Sequence, residues 1–246
     1  MAMDKNSNGF TFGFALVLVV VVGSVLAITA LALKAPQDEN IKREKMKNIL
    51  AAIQVEANLD NAESMFNQYV KERVVIDSKG MQVGTASGAI EATNKKDAFN
   101  VDVLKEYKSI ADASERNYPL FVCEKDGKKY FVIPMVGKGL WGPIWGFVSL
   151  ENDYNTVYGT SFDHKGETPG LGAEISTGEF QAQFVGKKIL NESKDFVSIQ
   201  VLKGGGGATN QHGVDGISGG TITSVGVGEM LERTLLTYNT YFKKNG

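Results

Sequence analysis

Residues 10–33 form an apolar run of 24 residues without one charged side chain. No other feature restricts the architecture as strongly. A helix of that length rises about 36 Å, enough to cross a hydrocarbon core of about 30 Å with some tilt. A secretory signal is the competing reading, because residues 30–35 offer small side chains that suit cleavage. The run is longer than a usual signal core, and only Lys5 and the amino terminus precede it as positive charge. The reading adopted is a retained single-span anchor at residues 10–33 after an N-terminal tail, residues 1–9. Its direction is open: Lys34, Lys42, Arg43, Lys45 and Lys47 follow the span, and by the positive-inside rule they would hold the larger part in the cytoplasm.

About 210 residues remain beyond the span, enough for one domain with an appendage. The net charge of −2 and the lack of long basic runs exclude nucleic acid as the natural partner. Cys123 is the single cysteine, so no disulfide forms within the chain, and with two histidines in total no protein-built zinc or iron–sulfur site is expected. Redox chemistry here requires a cofactor. Cys123 lies in an apolar run and reads as a buried, inert thiol.

Apolar spacing predicts helix over residues 38–73, interrupted near residues 58–61, then a short strand at residues 74–76 and a polar surface excursion over residues 83–96. Residues 34–118 thus read as a helical connector with an accessory part of the soluble domain. The core is placed at residues 119–246. Strands are predicted at residues 120–124 and 130–136, joined by the hairpin signal Asp126-Gly127, and at residues 145–150 and 157–162 around Glu151-Asn152-Asp153. Residues 178–188 read as helix, residues 196–202 as strand and residues 204–207 as a flexible turn. Val227, Leu231, Leu235, Tyr238 and Phe242 fall on one face of a closing helix. Antiparallel strands with helices at the ends make the domain α+β.

Three loops carry chemistry. Asp215-Gly216-Ile217-Ser218-Gly219-Gly220-Thr221-Ile222-Thr223-Ser224 leads straight into the closing helix. It is read two ways: as ordinary Ser/Thr capping, or as a phosphate site using free N–H groups, the helix dipole and nearby hydroxyls. Residues 137–146 set Trp141 and Trp145 among four glycines and a proline, either core aromatics or planes for a flat ring. Residues 164–172, His-Lys-Gly-Glu-Thr-Pro-Gly-Leu-Gly, form an irregular loop whose polar groups suit the edge of a heterocycle; His164 is read as a turn residue, not a metal ligand.

Together these segments resemble the C subunit of the sodium-translocating NADH:quinone oxidoreductase, a bacterial respiratory complex. The carriers are Lys47-Asn48-Ile49-Leu50, Gly139-Leu140-Trp141, residues 166–172 and the terminal motif Asp215-Gly216-Ile217-Ser218-Gly219-Gly220-Thr221. The matches run from the anchor to the last helix. One departure stands out: Gly220 occupies a position where the family usually has alanine.

The resemblance implies a transmembrane helix followed by an FMN-binding domain with an antiparallel sheet and flanking helices. It implies FMN attached covalently by a phosphoester, installed by a flavin transferase, with Thr221 as acceptor by position and Thr223 as the alternative hydroxyl. Ser218, Gly219 and Gly220 would form the attachment loop, and Trp141, Glu167, Thr168 and Leu171 the surroundings of the ring. No catalytic acid, base or nucleophile is called for, and no metal. The implied role is electron relay in a six-subunit pump that couples NADH oxidation and quinone reduction to sodium export. NADH and quinone would bind elsewhere, since no dinucleotide fingerprint occurs. The location would be the bacterial inner membrane, with the soluble domain on the periplasmic side, against the charge count. Two other readings are the G subunit of the related ferredoxin:NAD oxidoreductase complex, which shares the anchor and flavin motif, and a membrane-anchored scaffold whose loop merely caps a helix.

Overall fold

The computed structural model describes residues 7–245. Lys5 and the first six residues of the expected tail lie outside that range. The described chain forms two compact units that meet in sequence between residues 45 and 46.

The first unit is helical. Helix α1 (Asn8–Ala52) starts inside the expected tail and runs without a break past the predicted end of the span. Pro36 does not stop it: a proline removes one intrahelical bond, and the alanines, leucines and lysine around it are strong helix formers. Phe12, Leu16, Val20, Leu26, Ile28 and Leu31 are all exposed. Such an uncovered apolar surface is what a bilayer buries, and α1 is long and apolar enough to cross one.

The second unit is an α+β domain. Its six-stranded antiparallel sheet has the order β2–β1–β3–β4–β5–β6, formed by β1 (Val70–Ile76), β2 (Gln82–Ala86), β3 (Tyr118–Lys125), β4 (Lys128–Lys138), β5 (Pro143–Leu150) and β6 (Val157–His164). The β3–β4 turn is Asp126-Gly127, both at positive φ (52° and 72°), the geometry that an Asp-Gly hairpin favours. Short helix α2 (Ala62–Tyr69) precedes β1, and α3 (Val103–Ser109) precedes β3.

Both faces of the sheet are buried. On one, Val74, Leu120, Ile133 and Val148 pack with Val227, Leu231, Leu235, Tyr238 and Phe242 of the closing helix α5 (Thr221–Asn245). On the other, Val75, Phe121, Val132 and Phe147 pack with Ile49, Leu50 and Phe66. Neighbours along a strand enter opposite clusters because side chains alternate across the pleat. Each side chain so buried contributes about 1.5–3 kcal/mol relative to an exposed one. Cys123 lies in the second cluster, and burial pushes its thiol pKa well up.

Several sequence expectations change. The strand read at residues 74–76 begins at Val70, so Lys71 and Arg73 leave the predicted helix for β1. Part of the polar excursion, β2, is an edge strand paired with β1. The rest of that excursion is tied down by Arg73, which pairs with Asp97 through two 2.8 Å bonds and donates to Gly88 O. Buried core extends well before Pro119, reaching back to Met46. Lys125 reaches across to donate to Ile53 O and Gln54 O, satisfying carbonyls just past the end of α1. The helix expected over residues 178–188 shortens to α4 (Gly178–Ala182), after a 3-10 turn at Gly172–Ser176. The strand expected over residues 196–202 shrinks to β7 (Gln200–Leu202), which pairs in parallel with β8 (Gly213–Asp215).

Candidate functional site

The three loops singled out in the sequence converge at one end of the sheet. The β4–β5 ladder runs as far as Lys138–Pro143, and Gly139 N donates to Gly142 O at 2.8 Å, closing a tight loop. Leu140 and Trp141 stand at its tip, and Trp141 is 69% exposed. Trp145 is a β5 residue, so only one of the two indoles belongs to the loop. The loop after β6 folds back on itself: Glu167 N donates to His164 Nδ1, and both Leu171 N and Ala173 N donate to Thr168 O. Thr168 and Leu171 face outward.

Glu167 does the opposite. It is only 5% exposed, and its carboxylate accepts from Trp141 N at 2.8 Å and from Thr223 Oγ1 at 2.6 Å. One buried side chain thereby ties together the β4–β5 loop, the loop after β6 and the first turn of α5. The glycines around it supply space. A Cβ at Gly139 would lie 2.6 Å from Glu167 Oε1, and one at Gly172 would overlap Glu167 Oε2. A Cβ at Gly226 would overlap Lys138 O, so that glycine lets α5 approach the end of β4. In the sequence these residues read as conformational freedom. Here they read as room for a buried carboxylate and a close helix.

The loop that precedes α5 leaves β8 at Asp215. Asp215 Oδ1 accepts from Gly207 N at 2.6 Å, which holds the glycine run of residues 204–207 beside it. Gly216 N donates to Leu202 O, and Ile217 N to Ser224 Oγ. Gly219 sits at φ 74°, a left-handed conformation that glycine adopts freely. Gly220 is not in that region. Its constraint is steric, since a Cβ there would meet Ile217 Cγ2 at 2.9 Å.

The hydroxyls divide by burial. Thr221 and Ser218 are exposed, while Thr223 is 1% and Ser224 5% exposed. Among the described residues none of the four caps the first turn of α5: Thr223 serves Glu167 and Ser224 serves Ile217. The backbone N–H groups of Thr221, Ile222 and Thr223 have no protein acceptor there. The capping reading of this motif is therefore not realised. What stands instead is an open helix N-terminus with an exposed threonine hydroxyl at its first residue, a place suited to an anion.

A cavity of about 360 Å³ opens on this loop, lined by Lys203, Gly204, Gly205, Ser218, Gly219 and Thr221 among others. Lys203 brings a cation to its wall. Sequence reasoning missed Lys203 and took the glycines after it for a turn; a lone lysine ahead of four glycines was the available signal. Val225 also lines the cavity, and Leu140, Trp141, Leu171 and Ile222 are further exposed apolar side chains on the three converging segments. Orphan donors, a cation, a nucleophile-bearing side chain and apolar planes together fit a phosphate-bearing aromatic cofactor. No cluster of His, Cys, Asp or Glu suited to a metal occurs among the described residues.

Comparison with known proteins agrees with that chemistry. Residues 139–236 match the FMN-binding domain family. The chain is 33% identical over 231 residues to the C subunit of the Na(+)-translocating NADH-quinone reductase of Vibrio alginolyticus, covering 92% of this chain and 90% of that one. It is 34% identical over 243 residues to the C subunit of the Pseudomonas aeruginosa enzyme, covering 93% and 91%. The crystal structure of the C subunit from Parabacteroides distasonis superposes with a TM-score of 0.74 at 42% identity, covering 85% of this chain and 96% of that one. Shewanella oneidensis NqrC gives 0.66 at 26% identity, covering 82% and 97%.

Proposed function

The chain belongs to the family of the C subunit of the Na(+)-translocating NADH-quinone reductase, and we propose that it relays electrons through FMN joined to Thr221 by a phosphoester. One observation carries this reading: of the two threonines in the motif, Thr221 alone is exposed, while the Thr223 hydroxyl is buried and donates to Glu167. A flavin transferase can reach the first and not the second.

One-electron transfer is the chemistry FMN supplies when bound; the protein supplies tether, orientation and surroundings. Thr221 fixes the phosphate. The free N–H groups of Thr221, Ile222 and Thr223 and the Lys203 ammonium receive its charge, the helix terminus contributing about 0.3–1 kcal/mol. Trp141, Leu171 and Val225 offer apolar surface for the ring, and Thr168 a polar edge. Glu167 positions this frame from beneath and does not itself face the cofactor.

Helix α1 anchors the domain in the bacterial inner membrane as a single span, with the domain on the periplasmic side. Its apolar run holds no charged residue, so it is no ion path by itself. Donor and acceptor are neighbouring subunits of the six-subunit complex, which couples NADH oxidation and quinone reduction to sodium export. Intact mass of protein made in membranes together with the flavin transferase tests the assignment. One FMN increment is expected in the natural protein and none in Thr221→Ala; an increment that persists in the variant rejects Thr221. Protease added to intact spheroplasts tests the side, and a domain cleaved only after lysis rejects the periplasmic placement.

A further inference from the structure

Away from the Thr221 loop, the β3–β4 ladder stops at Phe121–Val132. Beyond it lie Pro119 and Pro134, and neither can donate a backbone N–H to extend the pairing. The gap is a cavity of about 140 Å³ whose lining includes Pro119, Pro134, Val136, Tyr107, Arg116 and Arg233. Both guanidinium groups lie over the Tyr107 ring, their central carbons 5.4 Å (Arg116) and 4.4 Å (Arg233) from its centroid.

The two arginines are held by carbonyls but keep N–H groups open to solvent, Arg116 being half-buried and Arg233 exposed. Arg116 donates from Nε and Nη2 to Ile110 O at 2.9 and 2.8 Å, and Arg233 donates from Nη2 to Val136 O. Among the described residues, Nη1 of Arg116 and both Nε and Nη1 of Arg233 have no acceptor. Neither arginine has a carboxylate within ion-pair distance there. Asp112 interacts with Arg116 only at longer range, and its carboxylate accepts from Ser114 N. Glu106 accepts from Asn117 N and Nδ2 instead. Two like charges thus share one ring and one cavity with no counter-charge in contact, an arrangement that an anion relieves.

We propose that this cavity binds one carboxylate carried on a short apolar stem. Guanidinium forks match the two oxygens of a carboxylate. Pro119, Pro134, Val136 and the Tyr107 ring give its methylenes an apolar wall, which inorganic phosphate, having no stem, would leave unused. A free small acid and an acidic side chain of a neighbouring protein in the complex both carry this group.

The proposal is independent of the flavin reading and is tested without it, by titrating the full-length protein in detergent with ¹³C-labelled butyrate and following the label by NMR. Saturable binding is expected, weakened about tenfold or more in Arg116→Gln and in Arg233→Gln. Arg116→Lys keeps the charge but loses the fork, including its paired bonds to Ile110 O; it is expected to bind several-fold more weakly, and titration well below its thermal midpoint separates recognition from folding. Inorganic phosphate at equal concentration should not displace the label. Repeating the titration on the assembled complex distinguishes the sources. Retained binding points to a free acid, and exclusion points to a partner's carboxylate already seated; either result upholds the site. Absence of saturable binding to the isolated chain, full affinity in Arg116→Lys, or displacement by phosphate overturns it.

Discussion

Thr223 Oγ1 donates to Glu167 Oε2 at 2.6 Å, joining residues 56 positions apart inside the protein. The same hydroxyl accepts from Leu140 N, so Thr223 is a structural joint between the first turn of α5 and both neighbouring loops. Replacing it with valine preserves shape and leaves one oxygen of a buried carboxylate unpaired. Thr223→Val is expected to lower stability by about 1–3 kcal/mol while leaving FMN attachment intact. Thermal unfolding and intact mass check the two halves; loss of the cofactor with an unchanged melting temperature would make Thr223 the acceptor.

Gly219 and Gly220 are adjacent but differ in what they forbid. Gly219 needs φ 74°, and a Cβ there would meet Leu171 Cδ2 at 2.6 Å. Gly219→Ala is expected to cost about 1–2 kcal/mol in backbone strain and to cut the flavinylated fraction. Gly220→Ala would meet the Ile217 side chain at 2.9 Å and the Leu171 backbone at 3.2 Å, without the positive φ that constrains Gly219. It is expected to remain fully flavinylated. Parallel intact-mass spectra of the two variants decide between these outcomes.

Arg73 and Asp97, each 1% exposed, form a buried pair that binds the 88–97 segment to β1. Asp97→Ala would strand a guanidinium in the interior and is expected to cost about 3–5 kcal/mol. Arg73→Met combined with Asp97→Leu removes both charges and is expected to recover most of that loss. Chemical denaturation of the single and double variants provides the comparison, and equal destabilisation would argue against a desolvated pair.

Local signals made part of the fold legible. An Asp-Gly turn between two apolar segments and five apolar residues at helical spacing each specify their structure within a few residues, and the uncharged apolar run marks where α1 begins, though not its end at Ala52. The failures share a physical origin in partners distant in sequence. The start of strand β1 at Val70 went unread because its register shifts between Val70 and Glu72 and Lys71 and Glu72 are exposed one after the other, so the alternation that marks a half-buried strand is broken. Strand β2 is polar because it is an edge. Pairing of β7 with β8 is parallel and leaves three residues on each, too few for a periodic signal.

The site divides in the same manner. Its glycines, threonines and Trp141 were evident as loop chemistry. That Glu167 turns inward was not, because its partners lie 26 and 56 positions away in sequence. Nor did the hydroxyls alone reveal which was free, since burial by the neighbouring loops makes Thr223 structural and leaves Thr221 exposed.

Peptide mass mapping of residues 204–233, from protein expressed in membranes with its flavin transferase, tests the central claim most directly. The expected result is a single FMN increment on the peptide carrying Thr221, with fragment ions locating it at that residue. An unmodified peptide, or an increment located at Ser218 or Thr223, would contradict the account.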